Sequence, residues 1–424
     1  MRDNDMLKWA KDLFPICRSL SGPGVRETLA YLNKLLPDMN IHEVPTGERV
    51  FDWVVPREWS VEDAYIENED GVRIVDFKDH NLHLVSYSEP VDAWMDLSKL
   101  DGHLYSLPEQ PDAIPYVTSY YERRWGFCLT HAQRQALKPG NYHAVVKSAL
   151  YDGSLSYGEL LLKGREEKEI LLSTYICHPS MANNELSGPV LTAALAQWID
   201  KTLTNRKYTY RIVFVPETIG AIAYLSRNLE QMKRQTVAGF VLSCVGDERC
   251  YSMMPSRRGG TLADRVLAAV LSVRDNVITY GYLDRGSDER QYCSPGVDLP
   301  VAVFCRSKFG EYPEYHSSLD NFDLVTGTGL GQSLDVMREC LTVLENNDCY
   351  TVSTPCEPQL GRRGLYGNRG TARIPQAALK MRHVLAYADG THDVLSLAEI
   401  IGIGPNEVLE ILQQLDGAGL VRAG

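Results

Sequence analysis

No stretch of the 424-residue sequence reaches 18 consecutive apolar residues, so nothing in it reads as a membrane-spanning helix. No two of the ten cysteines form a CxxC pair, which excludes a zinc knuckle and a thioredoxin-like redox motif. Positive charge is also in short supply. Forty-three Lys and Arg against 55 Asp and Glu leave a formal charge of −12 and a pI near 5.4. Such a chain lacks the basic field that non-specific binding to nucleic acid or anionic membranes requires. Residues 1–14 carry acids where a secretory signal would have a basic stretch and an apolar run. The sequence therefore reads as cytoplasmic, with its cysteines as free thiols.

What is present is the composition of a soluble globular protein, 44% hydrophobic and 23% charged, long enough for two or three domains. In the first forty residues Leu7, Ala10, Phe14, Val25, Leu29, Leu32 and Leu36 follow a helical period, broken at Ser21-Gly22-Pro23-Gly24. Residues 46–144 crowd Trp53, Trp59, Trp94 and Trp125 among Tyr, Pro and Gly in short alternating runs, which predicts an inserted β-rich domain. On either side, residues 1–45 and 145–350 predict one α/β domain. Strands at 169–176, 208–215, 238–245, 277–282 and 299–304 alternate with helices at 186–199, 219–229 and 330–344. The alternation predicts a mostly parallel sheet with helices on both faces, and ligand sites at the carboxyl ends of its strands. Residues 350–373, rich in Pro, Gly and Arg, read as a linker. The tail, 365–424, resembles a winged helix-turn-helix, with a helix at 377–388 and a turn at 402–405 between two further helices.

The predicted strand ends carry the polar residues. Cys177-His178-Pro179-Ser180 follows the first strand, and Asn184-Glu185-Leu186-Ser187-Gly188 opens a helix. Pro216-Glu217-Thr218 ends the second strand, and Gly246-Asp247-Glu248 follows the third. Further on stand Ser287-Asp288-Glu289-Arg290 and Tyr315-His316-Ser317-Ser318-Leu319-Asp320. This order resembles the zinc exopeptidases, the superfamily of aminopeptidases and glutaminyl cyclase. More narrowly, Arg18-Ser19-Leu20-Ser21-Gly22, Cys177-His178-Pro179-Ser180, the run from Asp288 to Cys293 and Glu314-Tyr315-His316 resemble a bacterial family of zinc aminopeptidase-like proteins. Its members have an inserted small domain and a C-terminal winged helix.

The resemblance implies His178 and His316 as metal ligands, Glu185 and Asp247 as further ligand candidates, and Glu217 as general base. It also implies Asp288, Glu289, Arg290 and Tyr315 as substrate contacts. The pair Arg257-Arg258, before a Gly-Gly turn, could clamp a substrate carboxylate through bidentate hydrogen bonds. The chemistry is consistent: zinc takes imidazole and carboxylate ligands, keeps a position for water, and a nearby carboxylate can accept that water's proton. The wider superfamily binds two metals, but this sequence has Asn184, Thr218 and Ser243 where acidic ligands are expected. Fewer anionic ligands hold less positive charge, so one zinc per chain is expected.

Three other functions stay open: non-hydrolytic acyl chemistry of the glutaminyl cyclase kind, a metal-binding pseudoenzyme, and a winged-helix regulator that binds nucleic acid. Against the last, residues 376–424 carry Lys380, Arg382 and Arg422 against six acids, and the helix from 405 to 415 has no Lys or Arg to face phosphates. The partners expected are a short peptide or aminoacyl substrate, no nucleic acid and no membrane; self-association into a homo-oligomer is left open.

Overall fold

The computed structural model describes residues 3–120, 122–365 and 376–424. Its centre is an eight-stranded sheet: β1 (Asn40–Pro45), β2 (Ser154–Leu162), β3 (Glu169–Tyr175), β4 (Thr209–Val215), β5 (Thr236–Leu242), β6 (Tyr251–Met254), β7 (Val277–Thr279) and β8 (Val301–Cys305). The spatial order is β1-β2-β4-β3-β5-β8-β6-β7. β4, β3, β5 and β8 run parallel, as do β6 and β7, while β1, β2 and the β8–β6 pair are antiparallel. Four of the seven pairings are parallel, so the sheet is mixed, with a parallel centre.

Every residue of β3, β4 and β8 is buried, because both faces are covered. The alternation of side chains assigns them to two clusters. Ile170, Leu172, Ile212, Phe214 and Phe240 meet one layer of helices, which includes α1 (Asp3–Leu13), α2 (Pro23–Leu35), α3 (Ser187–Thr202), α5 (Leu262–Leu271) and α6 (Gly327–Glu345). Leu171, Val213, Val241 and Val303 meet α4 (Ile219–Gln235) and the inserted domain on the other face.

The insert is built on a four-stranded antiparallel sheet, with Glu58–Asn68 and Asn141–Tyr151 at its centre. Strand Asn141–Tyr151 crosses the expected boundary at 144 and carries the insert straight into the turn before β2. The insert is tied to the N-terminal segment: Ser19 and Ser21 hydrogen-bond Ser86 and Tyr87. A second tie leads to the strand ends. Tyr116 N donates to His316 O at 2.8 Å, and Ile114 and Ser318 exchange two bonds, with Ile114 N donating to Ser318 Oγ at 3.0 Å.

The tail folds as three helices, α7 (Gln376–Tyr387), α8 (Val394–Ile401) and α9 (Pro405–Gly417), beside a three-stranded sheet. One strand of that sheet is Cys349–Val352, which runs through residues expected to be linker; Asp389–Asp393 and Val421–Ala423 need it as their partner. Residues 366–375 of the expected linker and tail lie outside the described residues. The tail is not tethered loosely. Leu395, Leu397, Val408 and Leu412 join the same core cluster as α5 and α6, and Arg265 on α5 grips Asp393 with two bonds of 2.9 and 3.0 Å. Among the described residues no helix is long and apolar enough to cross a membrane.

Candidate active site

The carboxyl ends of β3 and β4 bring together His178 and Glu217, with Nε2 and Oε2 3.6 Å apart. Because β3 and β4 are adjacent and parallel, residues just past their ends share one edge of the sheet. His316 arrives from the loop before α6, and its ring centre lies 5.6 Å from that of His178. Tyr315 stacks on His316 at 3.9 Å. Tyr116, from the insert, lies edge-on to both imidazoles, 5.2 Å from His178 and 5.1 Å from His316.

Each imidazole has one nitrogen to spare. His178 Nδ1 lies 2.9 Å from Glu185 Oε2, so its Nε2 faces Glu217. His316 Nε2 is buried without a protein partner. Asn184 Nδ2, Asp288 Oδ2 and Glu289 Oε2 are buried and unpaired as well. Native interiors rarely leave such atoms alone, which makes this edge of the sheet a candidate place for a ligand or an ion. Burial, reinforced by His178, pushes the His316 pKa down to about 3, which keeps its ring neutral and its lone pair available. Burial opposes charge on His178, but Cys177 and Glu185 outweigh it and hold its pKa well above the ordinary value.

The acids divide by exposure. The Glu217 side chain is 22% exposed, whereas that of Glu185 is fully buried, and Asp288 and Glu289 are fully buried residues. Ser287 Oγ donates to Glu217 Oε1 at 2.9 Å, and Thr218 N donates to Asp288 Oδ1 at 2.7 Å. Burial, and then the charge of Glu217, push the Asp288 pKa well above its ordinary value. Arg290 reaches Thr218 Oγ1 at 2.9 Å, and Glu289 Oε1 accepts from the backbone of Gly286 and Ser287. The run from Ser287 to Arg290 therefore braces the Glu217-Thr218 turn from behind.

That turn is strained. Thr218 has φ 64° and ψ −79°, a conformation that a β-branched residue seldom adopts. Ser180, Cys244 and His316 also have positive φ. Each such residue costs on the order of 1–3 kcal/mol, and such costs gather at functional sites. These four are among nine such residues other than glycine in the described part of the chain.

Two of the expected ligand candidates are engaged elsewhere. Glu185 sits behind His178, with Oε1 3.3 Å from Arg18 Nε. Cys177, His178 and Glu185 do bring ligand atoms within 4.8 Å of one another, the sole such group among the described residues. Glu185 Oε2 and Cys177 Sγ both meet His178 Nδ1 there, at 2.9 and 3.5 Å. Asp247 is buried among donors: Ser307 N and Oγ at 2.9 Å, Arg249 N at 2.9 Å and Asn183 Nδ2 at 3.1 Å. With its lone pairs taken, it stitches the β5 loop to the turn before α3. Arg257 and Arg258 both bind Asp298, at 2.6 and 3.1 Å, and are not brought to the histidines. Tyr116 was not singled out from the sequence; it lies in the insert, 62 residues before His178 in the chain, in a segment without a motif. Asp320 was visible only as the end of the His316 motif. It accepts from Asn183 N and Asn184 N at 2.5 and 2.9 Å and so fixes the turn that opens α3.

Comparison with known proteins agrees with this architecture. A family model described as a domain of unknown function (DUF4910) matches residues 7–347, and one described as winged helix-turn-helix matches residues 347–423. A Clostridium acetobutylicum protein named "Putative polysaccharide biosynthesis protein with aminopeptidase-like domain" is 43% identical over 391 residues, covering 92% of this chain and 89% of that protein. The crystal structure of a protein described as a "putative peptidase", also from Clostridium acetobutylicum, aligns with a TM-score of 0.93 at 39% identity, covering 100% of this chain and 96% of that one. BSAP, a zinc aminopeptidase from Bacillus subtilis, shares the fold at a TM-score of 0.57 and 12% identity, covering 80% of this chain and 94% of that one. The chain belongs to the DUF4910 family, with a winged helix-turn-helix at its C-terminus.

Proposed function

We propose that this protein is a metal-dependent, peptidase-like hydrolase of short peptides or aminoacyl amides. In this reading His178 and His316 hold one zinc ion and Glu217 is the general base. The observation that carries it is the pair of imidazoles with ring centres 5.6 Å apart: His178, whose Nδ1 is committed to Glu185 and whose Nε2 faces Glu217 Oε2 at 3.6 Å, and His316, whose Nε2 is buried without a partner. The donor chemistry fits zinc, which takes imidazole with carboxylate nearby; His178, whose pKa Cys177 and Glu185 hold up, would give up its Nε2 proton on binding. Two imidazoles are a sparse set, so the ion would be held less tightly than by a full set of three protein ligands. When bound, zinc would polarise a scissile carbonyl and acidify water.

The chain's own groups supply the rest. Glu217 is the acid with solvent access, and Ser287 fixes one of its oxygens and leaves Oε2 toward His178. It is placed to accept a proton from water beside the imidazoles. Asp288, with its raised pKa, adds little competing negative charge behind it. Tyr116 and the Ile114–Ser318 tie bring the insert over the histidines, which favours short substrates and limits bulk water. The relative's "aminopeptidase-like domain" and the fold shared with a zinc aminopeptidase support the reaction class. We read the winged helix as a packing module, since its core is continuous with that of the catalytic domain.

The test is elemental analysis of protein grown with ample zinc, beside a screen of aminoacyl amides and short peptides. Wild type should carry about one zinc per chain, and His178→Ala and His316→Ala should lose zinc and activity together. Wild type without metal, or unchanged zinc in both variants, would overturn the site.

A further inference from the structure

The segment Arg18-Ser19-Leu20-Ser21-Gly22 stands 160 residues before His178, yet Arg18 is fully buried against it. We propose that this segment is a positioning element: Arg18 holds Glu185, and Glu185 holds His178 Nδ1, so that Nε2 is presented to the site. Glu185 is then a brace behind the histidine and not a metal ligand. The proposal refines the ligand set proposed above and rests on that reading only for its metal readout.

The geometry runs in one direction. Arg18 Nε donates to the His178 carbonyl at 2.9 Å and lies 3.3 Å from Glu185 Oε1. Arg18 Nη1 donates to Leu13 O at 2.7 Å, at the end of α1. The guanidinium is thus bolted to a helix end, to the backbone of His178 and to the acid that holds its ring. Glu185 contributes Oε2 to His178 Nδ1 at 2.9 Å, while its buried Oε1 has no hydrogen bond and faces Arg18 Nε as an ion pair at 3.3 Å. An oxygen beside a guanidinium is a poor place for a dication, because the two positive charges repel at short range. A carboxylate on the second nitrogen of a ligating histidine fixes the tautomer and raises ligand basicity.

The rest of the segment anchors the brace. Ser19 Oγ bonds Ser86 Oγ at 2.7 Å, and Ser21 Oγ bonds the Tyr87 hydroxyl at 2.5 Å. Gly22, at φ +103°, passes so close to the insert that an added Cβ would lie 2.2 Å from Trp59 O. The helical layer, the insert and the histidine are therefore registered through five consecutive residues.

The experiment compares wild type with Glu185→Gln, Glu185→Leu, Arg18→Met, Arg18→Lys and His178→Ala. Two readouts are taken: zinc titration against a competing chelator, and NMR of the metal-free, 15N-histidine-labelled protein, with His178 assigned from the His178→Ala spectrum. Glu185→Gln and Arg18→Met should still take one zinc at saturation, with affinity about 10- to 100-fold weaker. Arg18→Lys, which restores the charge, should recover part of the loss. The exchange-protected His178 Nδ1–H resonance should be present in wild type and gone in Glu185→Leu. Loss of stoichiometric zinc from Glu185→Gln, as in His178→Ala, would make Glu185 a ligand and overturn the brace; so would unchanged affinity. If wild type takes no zinc, the proposed function fails instead, and the resonance still decides the brace: its survival in Glu185→Leu overturns it.

Discussion

Replacing Gly22 with alanine should cost far more than an ordinary surface change, and the cost can be worked from two parts. Its backbone, at φ 103° and ψ −175°, lies in a region that is close to glycine-only, and holding an L-residue there costs roughly 1–3 kcal/mol. The new methyl would also meet the Trp59 carbonyl oxygen at 2.2 Å. That neighbour is backbone and cannot swing aside, so the insert must shift, at about 1–3 kcal/mol for overpacking. The sum is about 2–6 kcal/mol. Gly47 provides the control: φ is +84°, but nothing lies within 4 Å of an added Cβ, so Gly47→Ala carries the conformational part alone. Urea unfolding followed by tryptophan fluorescence and far-UV circular dichroism should show a loss for Gly22→Ala about twice that for Gly47→Ala. Gly22→Ala should also weaken zinc binding, because Gly22 ends the segment that carries Arg18. Equal losses in the two variants would refute the reasoning, since the clash with Trp59 would then contribute nothing.

Two other predictions concern the tail. Burial opposes the charge of Asp393, but Arg265, Ser396 and Asn347 outweigh it and hold its pKa well below the ordinary 3.8. Its contribution to docking is therefore full above pH 3.8 and fades as pH falls from there toward the folded-state value. Asp393→Asn should loosen the tail at pH 7 by roughly 1.5–3 kcal/mol, the scale of charged hydrogen bonds, seen as faster hydrogen exchange in α8; unchanged exchange would contradict it. The full chain should also show no sub-micromolar binding to duplex DNA at physiological salt in a gel-shift assay. The exposed face of α9 offers Glu410, Gln413, Gln414 and Asp416, and no cation to meet phosphates.

The parallel core of the fold is legible because strands buried on both faces must be continuous apolar runs. The expected strands at 169–176 and 208–215 fall within one residue of Glu169–Tyr175 and Thr209–Val215. Two other strands, β1 at one edge and β6 between β8 and β7, are not legible in the same way. β1 is mostly exposed, β6 is four residues long, and neither has a clear period; they are strands because the neighbouring strand leaves backbone groups to pair. The linker reading failed at Cys349–Val352 for a related reason, since all four residues are only half-buried and their pairing is with segments about 40 and 70 residues onward. In the site, His178, Glu217 and His316 could be found because each follows a strand or sits in a dense polar motif. Which face of His178 an acid would take could not. Glu185 is seven residues from His178, a separation compatible with either a ligand or a brace, and only the position of Arg18 separates the two. Asp247 reads as a ligand by its place after β5, but Ser307 and Asn183 occupy its oxygens from loops that sequence order does not connect.

The most direct test of the central claim is the zinc content and turnover of Glu217→Gln, measured together on a substrate found by the peptide and aminoacyl amide screen. The amide is nearly isosteric, so Ser287 can keep its bond and the histidines their places. If Glu217 is the base beside a His178–His316 zinc site, zinc should remain at about one per chain while the rate falls about 100- to 10,000-fold. Full activity with zinc still bound would remove Glu217 from the mechanism, and loss of zinc would make it a ligand, contradicting the roles assigned here.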